Sequence, residues 1–451
     1  MPPGYALMMA LAEATKLAFV FAFGACVGSL MNVLVYRLPR GLDIVTPPSR
    51  CPICDTKLTW RENIPIFGWI MLGGRCRFCK ARISPEYPIV EASIALLFSL
   101  FYILWYMLPP EWGVVRWTRP EWAMNGLLTT WPTFTVILTL VSCLAAMTLI
   151  DAKTRMIPLG LLWFPAIVAL LVHPLHAWVL ETRGIEWRRL ASHADWAIPT
   201  PGAFGWWWIG AALGGSVGLL AGNLLLWTGL IKRSFLDYDE WEKRALAEAQ
   251  AAEGADAARE AQASPAKDDA EAQAELWIQY PHARREMVRE MAFLAPAATL
   301  ALVGGNLAQR LAGPWKFDPI REISTASVSA PLWLNVLAGV LLGYLIAGGV
   351  VWAARILGTL AFGKEAIGLG DVHLMAGVGA CLGWIDPVLG FFAAAFIGVF
   401  YEIARAIFAR RVRRTLPFGP CLAMGTLVVV LGKPVFEALL GLLIHRPVDL
   451  P

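Results

Sequence analysis

Charge is scarce in this chain. Of its 451 residues, 16% are Asp, Glu, Lys or Arg, against roughly 25% in an average soluble domain. That deficit excludes an ordinary water-soluble globular protein, whose surface needs many more charged groups. The first five residues, Met1 to Tyr5, carry no basic side chain, which argues against a cleaved secretory signal. The first apolar segment is therefore expected as a retained span. No glycine-rich nucleotide loop following a strand is visible. No pair of internal repeats of the kind used by transporters is evident either.

What fills the chain is apolar. Hydrophobic residues make up 57%, tryptophans number 21 and the mean hydropathy is +0.57. The composition predicts an all-α polytopic membrane protein of about ten transmembrane helices. Spans are expected over about 17–36, 88–108, 132–150, 157–180, 207–231, 291–311, 332–357, 372–384 and 387–408, with a tenth opening at Leu416–Pro420. The stretch 372–384 is short, since an upright crossing needs roughly 20 residues. In the first span, Gly24, Gly28 and Ser29 have the spacing of a helix contact. Asn32, near the membrane edge, suits an interhelical hydrogen bond or a substrate contact.

The formal net charge of +4 matters less than where the positive charges lie. Residues 37–87 hold Arg37, Arg40, Arg50, Lys57, Arg61, Arg75, Arg77, Lys80 and Arg82 against the acids Asp43, Asp55, Glu62 and Glu86. By the positive-inside rule this loop is cytoplasmic and the N-terminus is outside. Within the loop lie Cys51-Pro-Ile-Cys54 and Cys76-Arg-Phe-Cys79. Two such knuckles can bring four thiolates around one tetrahedral zinc with no open position, which makes the expected metal structural. Disulfides are the weaker alternative in a reducing compartment. A loop this short and rich in Pro and Gly has little core, so metal would supply much of its folding energy. Cys26, Cys143, Cys381 and Cys421 stand singly in apolar segments and read as small buried hydrophobes.

Two acids stand out. Asp371 follows two glycines, which let the backbone bend tightly, in Gly368-Leu-Gly-Asp-Val-His-Leu374, at the edge of an apolar run where a charge is costly. Asp151 ends the third span, next to Lys153 and Arg155. Counting crossings puts both at the cytoplasmic face. Each acid taken alone could be a solvated interfacial charge. Together at helix ends, two neighbouring carboxyls would share a proton, so that one activates water while the other polarises a peptide carbonyl. That is aspartic-protease chemistry. The competing reading is an ion or proton relay in a carboxylate-based membrane transporter, in which substitutions of these acids would alter solute or proton flux.

The domain organisation expected from these features is a first transmembrane helix (1–36), a zinc-binding cytoplasmic loop (37–87) and helices carrying the first acid (88–180). Residues 181–331 form an insertion with two extra spans and a charged cytoplasmic segment (232–290). Residues 332–451 hold the helices with the Gly-x-Gly-Asp motif. Trp187, Trp196 and Trp206–Trp208 fit an aromatic belt. The charged segment, rich in Ala, Glu and Gln, is expected to be partly helical and partly disordered.

The residues also carry a resemblance. Gly28-Ser-Leu-Met-Asn-Val-Leu-Val-Tyr-Arg-Leu-Pro39, the four-cysteine loop, Glu62-Asn-Ile-Pro65 and Ile83-Ser-Pro-Glu-Tyr-Pro-Ile-Val-Glu91 are joined by Ile150-Asp151, Ile157-Pro158, the Gly368–Leu374 motif and Pro417-Phe-Gly-Pro420. In this order they resemble the bacterial type IV prepilin peptidases, over about 17–180 and 332–431. The resemblance implies a membrane aspartic endopeptidase of the bacterial inner membrane, with its active site facing the cytoplasm. Such enzymes cleave the leader of type IV prepilins and pseudopilins and N-methylate the new N-terminus with S-adenosylmethionine. A peptidase without methylation is an alternative. The catalytic pair carries over to Asp151 and Asp371, and the zinc ligands to Cys51, Cys54, Cys76 and Cys79. No residue is assigned to the methyl donor. The implied partners are prepilin or pseudopilin substrates and the lipid bilayer, with no nucleic acid. Three departures stand: Leu159 where many relatives have Asp, His373 where they usually have Lys, and the insertion. His373 reads as a packing or hydrogen-bonding substitute, and the two added spans keep both acids on one side.

Overall fold

The computed structural model describes residues 3–46, 48–109, 111–154, 157–183, 198, 200, 206–238, 240–241, 243–245, 247, 280–312, 315–318, 323–326, 328, 330–409 and 418–445. Thirteen helices carry the described chain: α1 (Pro3–Arg37), α2 (Phe67–Met71), α3 (Glu86–Tyr102), α4 (Gly113–Thr118), α5 (Leu127–Thr154), α6 (Leu159–Thr182), α7 (Trp206–Trp227), α8 (Ala283–Leu311), α9 (Leu332–Phe362), α10 (Leu369–Leu382), α11 (Asp386–Ala409), α12 (Phe418–Leu431) and α13 (Lys433–Ile444). Short 3-10 and π turns accompany them. The charged segment expected within 232–290 lies mostly outside the described residues, as do Trp187, Trp196 and Arg155.

Eight helices among the described residues are long and apolar enough to cross a membrane, and nine if a bent pair counts as one span. The pair is α12 and α13, which meet at 83°. Gly432 separates them and Pro434 stands in the first turn of α13; a proline ring there cannot extend the ladder of the preceding helix. The stretch expected as a short span is α10. Its 14 residues rise about 21 Å at ~1.5 Å per residue, short of the roughly 30 Å hydrocarbon core. Eight long helices, one broken pair and one short helix thus account for the ten apolar segments read from sequence.

The chain separates into two compact units: 1–203 with 331–347 and 373–451, and 204–330 with 348–372. In the first unit α1 packs on α3. A Cβ added at Gly24 would lie 2.8 Å from Ala95 Cα, and one at Gly28 would lie 2.6 Å from Glu91 Cα. These glycines are where the two backbones touch, as their spacing predicts. Asn32 Nδ2 donates to the Tyr87 carbonyl at 3.1 Å, so the interhelical reading of Asn32 holds.

The second unit contains the helix pair α7 and α8. Gly210, Gly214, Gly218 and Gly222 recur every fourth residue on α7. A side chain at any of the four would collide with α8 backbone at Gly304, Leu300, Pro296 and Phe293 respectively. Trp315–Asp318 and Ile323–Ala326 pair as antiparallel strands, with Trp315 opposite Ala326 and Asp318 opposite Ile323. Ile, Thr, Trp and Phe favour strands, which suits these two segments to one short ladder.

Candidate functional site

The loop between α1 and α3 builds its cysteine cluster from two copies of one turn. Cys51 N–H donates to the Thr56 carbonyl at 3.0 Å and Asp55 N–H returns to the Cys51 carbonyl at 2.9 Å. Cys76 N–H and Lys80 N–H repeat the pattern with the Ala81 and Cys76 carbonyls at 2.8 and 3.0 Å. In both knuckles the residue after the second cysteine takes a left-handed conformation, Asp55 at φ 52° and Lys80 at φ 59°. A β-bridge closes each turn, Arg50 with Lys57 and Arg75 with Arg82.

The result brings Cys51, Cys54, Cys76 and Cys79 together, with all four sulfurs within 4.8 Å of one another. Cys51 and Cys79 lie 3.8 Å apart, and Cys54 and Cys76 4.0 Å. A tetrahedron with Zn–S bonds of about 2.3 Å has edges of about 3.8 Å, whereas a disulfide needs about 2.05 Å. The spacing fits a metal, and the four-cysteine cluster could hold one. The Thr56 hydroxyl and backbone N–H draw the Cys54 thiol down to about 6. The backbone N–H groups of Cys79 and Phe78 lower Cys76. Both shifts favour the thiolate that a metal requires.

Glu91 ties this loop to the membrane helices, a role its sequence position did not reveal. Its carboxylate, on α3 and buried, accepts from Ile66 N–H at 2.6 Å. Ile66 is held at φ 64° and ψ −57°, an unfavourable conformation for a β-branched residue. Anchoring at Glu91 fixes that bend.

Asp151 belongs to the first unit. On α5, Leu140, Leu144 and Met147 form a buried stripe, and Asp151 continues it one turn further at 9% exposure. The side chain is therefore inward-facing, at a helix C-terminal end where the backbone dipole gives a negative charge no support. Neighbouring Lys153 pairs with Glu86 at the start of α3.

Asp371 belongs to the second unit, in the first turn of α10 and 7% exposed. Its N–H donates to the Gly368 carbonyl at 3.2 Å. The motif glycines do not make the bend they suggest in sequence. Gly370 is already helical, and neither it nor Gly368 has positive φ. The left-handed residue is Gly363, at φ 69°, just beyond the end of α9. A Cβ at Gly368 would stand 3.6 Å from Asp371 Oδ2, an ordinary contact. His373 stacks edge-on to Trp163, with ring centroids 6.4 Å apart, in keeping with a packing role. Leu159 opens α6 with its side chain half exposed.

Residues 22–105 match the Bacterial Peptidase A24 N-terminal domain. A prepilin leader peptidase/N-methyltransferase of Myxococcus xanthus is 50% identical over 80 residues, covering 18% of this chain and 24% of the relative. The protein of that name in Klebsiella pneumoniae is 35% identical over 150 residues, covering 32% and 56%. That of Aeromonas salmonicida is 32% identical over 175 residues, covering 32% and 52%. The chain thus spans a quarter to just over half the length of these curated relatives. No solved structure matches it. Residues 22–105, which include the cysteine loop, are thus similar to the A24 N-terminal domain, and up to a third of the chain is similar to relatives that share the name prepilin leader peptidase/N-methyltransferase.

Proposed function

We propose that this chain is an aspartic endopeptidase of the bacterial inner membrane that removes the leader of type IV prepilins or pseudopilins at the cytoplasmic face. The observation that carries the reading is a pair of buried carboxyls at helix ends, Asp151 and Asp371, 9% and 7% exposed, in a relative of proteins named for leader cleavage. Burying a carboxyl is costly, and α5 and α10 each bury one at a membrane helix end.

In the proposed reaction one carboxylate takes a proton from water, and the hydroxide adds to the scissile carbonyl carbon. The other, protonated carboxyl gives its proton to the carbonyl oxygen. The tetrahedral gem-diol then collapses with cleavage of the C–N bond: the proton first taken from water passes to the leaving amine, and a hydroxyl proton of the intermediate returns to the carboxylate that had protonated the carbonyl oxygen. The four thiolates of Cys51, Cys54, Cys76 and Cys79 would hold one zinc ion. Held by four sulfurs, zinc would supply folding energy to the loop and would leave no open position for water activation.

The relatives' names also include N-methyltransferase, which extends the proposal to methylation of the new N-terminus by S-adenosylmethionine. A cavity in the first unit lined by Trp105, Trp122, Cys381, Asp386 and Lys433 holds about 20 Å³, room for roughly one water. It does not fit that cofactor. The methylation half therefore rests on the names alone, and no step is derived through the cofactor.

The test is to incubate membranes containing the chain with a prepilin and S-adenosylmethionine and to weigh the product. A product lacking the leader and carrying one added methyl group supports both halves. Cleavage without the methyl group leaves a peptidase alone, and an uncleaved prepilin overturns the reading.

A further inference from the structure

Arg355 is the one basic residue in α9, a helix with no acidic side chain from Leu332 to Phe362, and it is 2% exposed. A guanidinium so deeply buried persists only where its fork of donors is matched. Nε donates to both oxygens of Glu290 on α8, at 3.0 and 3.3 Å, and Nη2 lies 3.0 Å from Glu290 Oε1. Nη1 points to the opposite side. It meets Glu365 Oε1 at 2.5 Å and donates to the carbonyl oxygen of Ile367. One planar group therefore joins a carboxylate of the inserted helix to the backbone immediately before Gly368.

The rest of the surroundings fixes the same short loop. Glu290, 3% exposed, also accepts from Ser234 Oγ at 2.9 Å and Trp352 Nε1 at 2.8 Å. The Arg355 guanidinium lies 5.1 Å from the centre of the Phe235 ring. Tyr280 N–H donates to the Gly363 carbonyl at 2.7 Å, and Ala366 N–H to Thr359 Oγ1 at 3.3 Å. Ala366 packs so close to α9 that a Cβ at Gly358 would come within 2.7 Å of its own. Gly363, Glu365, Ala366 and Ile367 are thus all held, Gly363 directly by Tyr280, Ala366 by Thr359, and Glu365 and Ile367 by Arg355, which Glu290 holds in turn.

A buried ion pair is a weak device for stability, because desolvation offsets much of the attraction. Its particular contribution here is direction, since a rigid fork can hold two carboxylates and a carbonyl in one plane. We infer that Glu290 and Arg355 are positioning residues, through which the inserted segment sets the Gly363–Asp371 turn and with it the carboxyl of Asp371. The inference rests on the peptidase reading for its functional consequence.

The test compares the full-length wild type with Glu290→Gln and Glu365→Gln, measuring prepilin cleavage and amide hydrogen exchange over 363–371. Glu290→Gln keeps the size of the side chain and removes its charge. Glu365→Gln alters the more exposed side of the same fork. The expected result is exchange at least tenfold faster over 363–371, unchanged exchange in α5, and kcat at least tenfold lower with KM within about twofold. A lowered unfolding temperature with kcat and loop exchange at wild-type values would show a merely structural pair and overturn the inference. If Glu290→Gln fails to reach the membrane, Glu365→Gln decides the matter by the same two readouts. Should the wild type leave prepilin uncleaved, the peptidase reading falls, and loop exchange alone decides whether Glu290 fixes the turn.

Discussion

Cys54 and Cys76 are the thiols best prepared to lose a proton, because Thr56 and the backbone N–H groups of Phe78 and Cys79 are aimed at their sulfurs. Purified protein is accordingly expected to contain one zinc per chain by metal analysis. Cys54→Ser should lose it and make residues 37–87 a preferred site of proteolysis, since a structural zinc supplies on the order of 10 kcal/mol in small domains. A full complement of zinc in that variant would contradict the four-thiolate site. The cysteine pairs and both acids were legible in sequence, because their residue types are rare in such apolar surroundings or recur at metal-binding spacing. The left-handed Asp55 and Lys80 were not, since no glycine marks those turns. Arg355 left a clue in its solitude within an uncharged helix. Its partner Glu290 did not, because it sits at the end of a stretch full of charges.

Helix contacts depend on small residues at the scale of whole elements. Gly24 and Gly28 announced the α1–α3 contact by spacing alone, whereas the four glycines of α7 acquire meaning only once α8 is placed against them. Replacing Gly218 with Leu would drive a side chain into the Pro296 carbonyl. Overpacking of this kind costs typically 1–3 kcal/mol, and a lowered unfolding temperature in detergent would register it. No loss of stability in Gly218→Leu would mean that α7 and α8 do not pack through this face. The motif around Gly368 shows the opposite case. Its glycines suggested a tight bend, but the chain turns at Gly363 and the motif itself opens α10. Helix propensity of the following Val-His-Leu-Met-Ala run carries the helix back through Gly370, which a local reading of glycine could not anticipate.

Across the whole molecule, the insertion expected over 181–331 falls largely in the second unit, which also takes 348–372 and therefore Asp371. The proposed chemistry requires both acids on the cytoplasmic side. Cysteines placed at Lys153 and Lys364 should react with a membrane-impermeant maleimide in inverted vesicles and stay unlabelled in right-side-out ones. Opposite labelling of the two positions would separate the acids by the bilayer and end the aspartic-peptidase account. Span number was readable from composition because apolar length is a direct physical requirement of the bilayer. The 83° break between α12 and α13 and the short α10 were harder to read, since hydropathy reports apolar length and not direction.

The central claim is that Asp151 and Asp371 together cleave a prepilin leader. Its most direct test is the mass of a prepilin after incubation with membranes carrying the wild type, Asp151→Asn or Asp371→Asn at equal protein levels. The account predicts complete leader removal by the wild type and a fall of at least a thousandfold in rate for each variant, about 4 kcal/mol of lost transition-state stabilisation. Leader removal at the wild-type rate by either variant would contradict it.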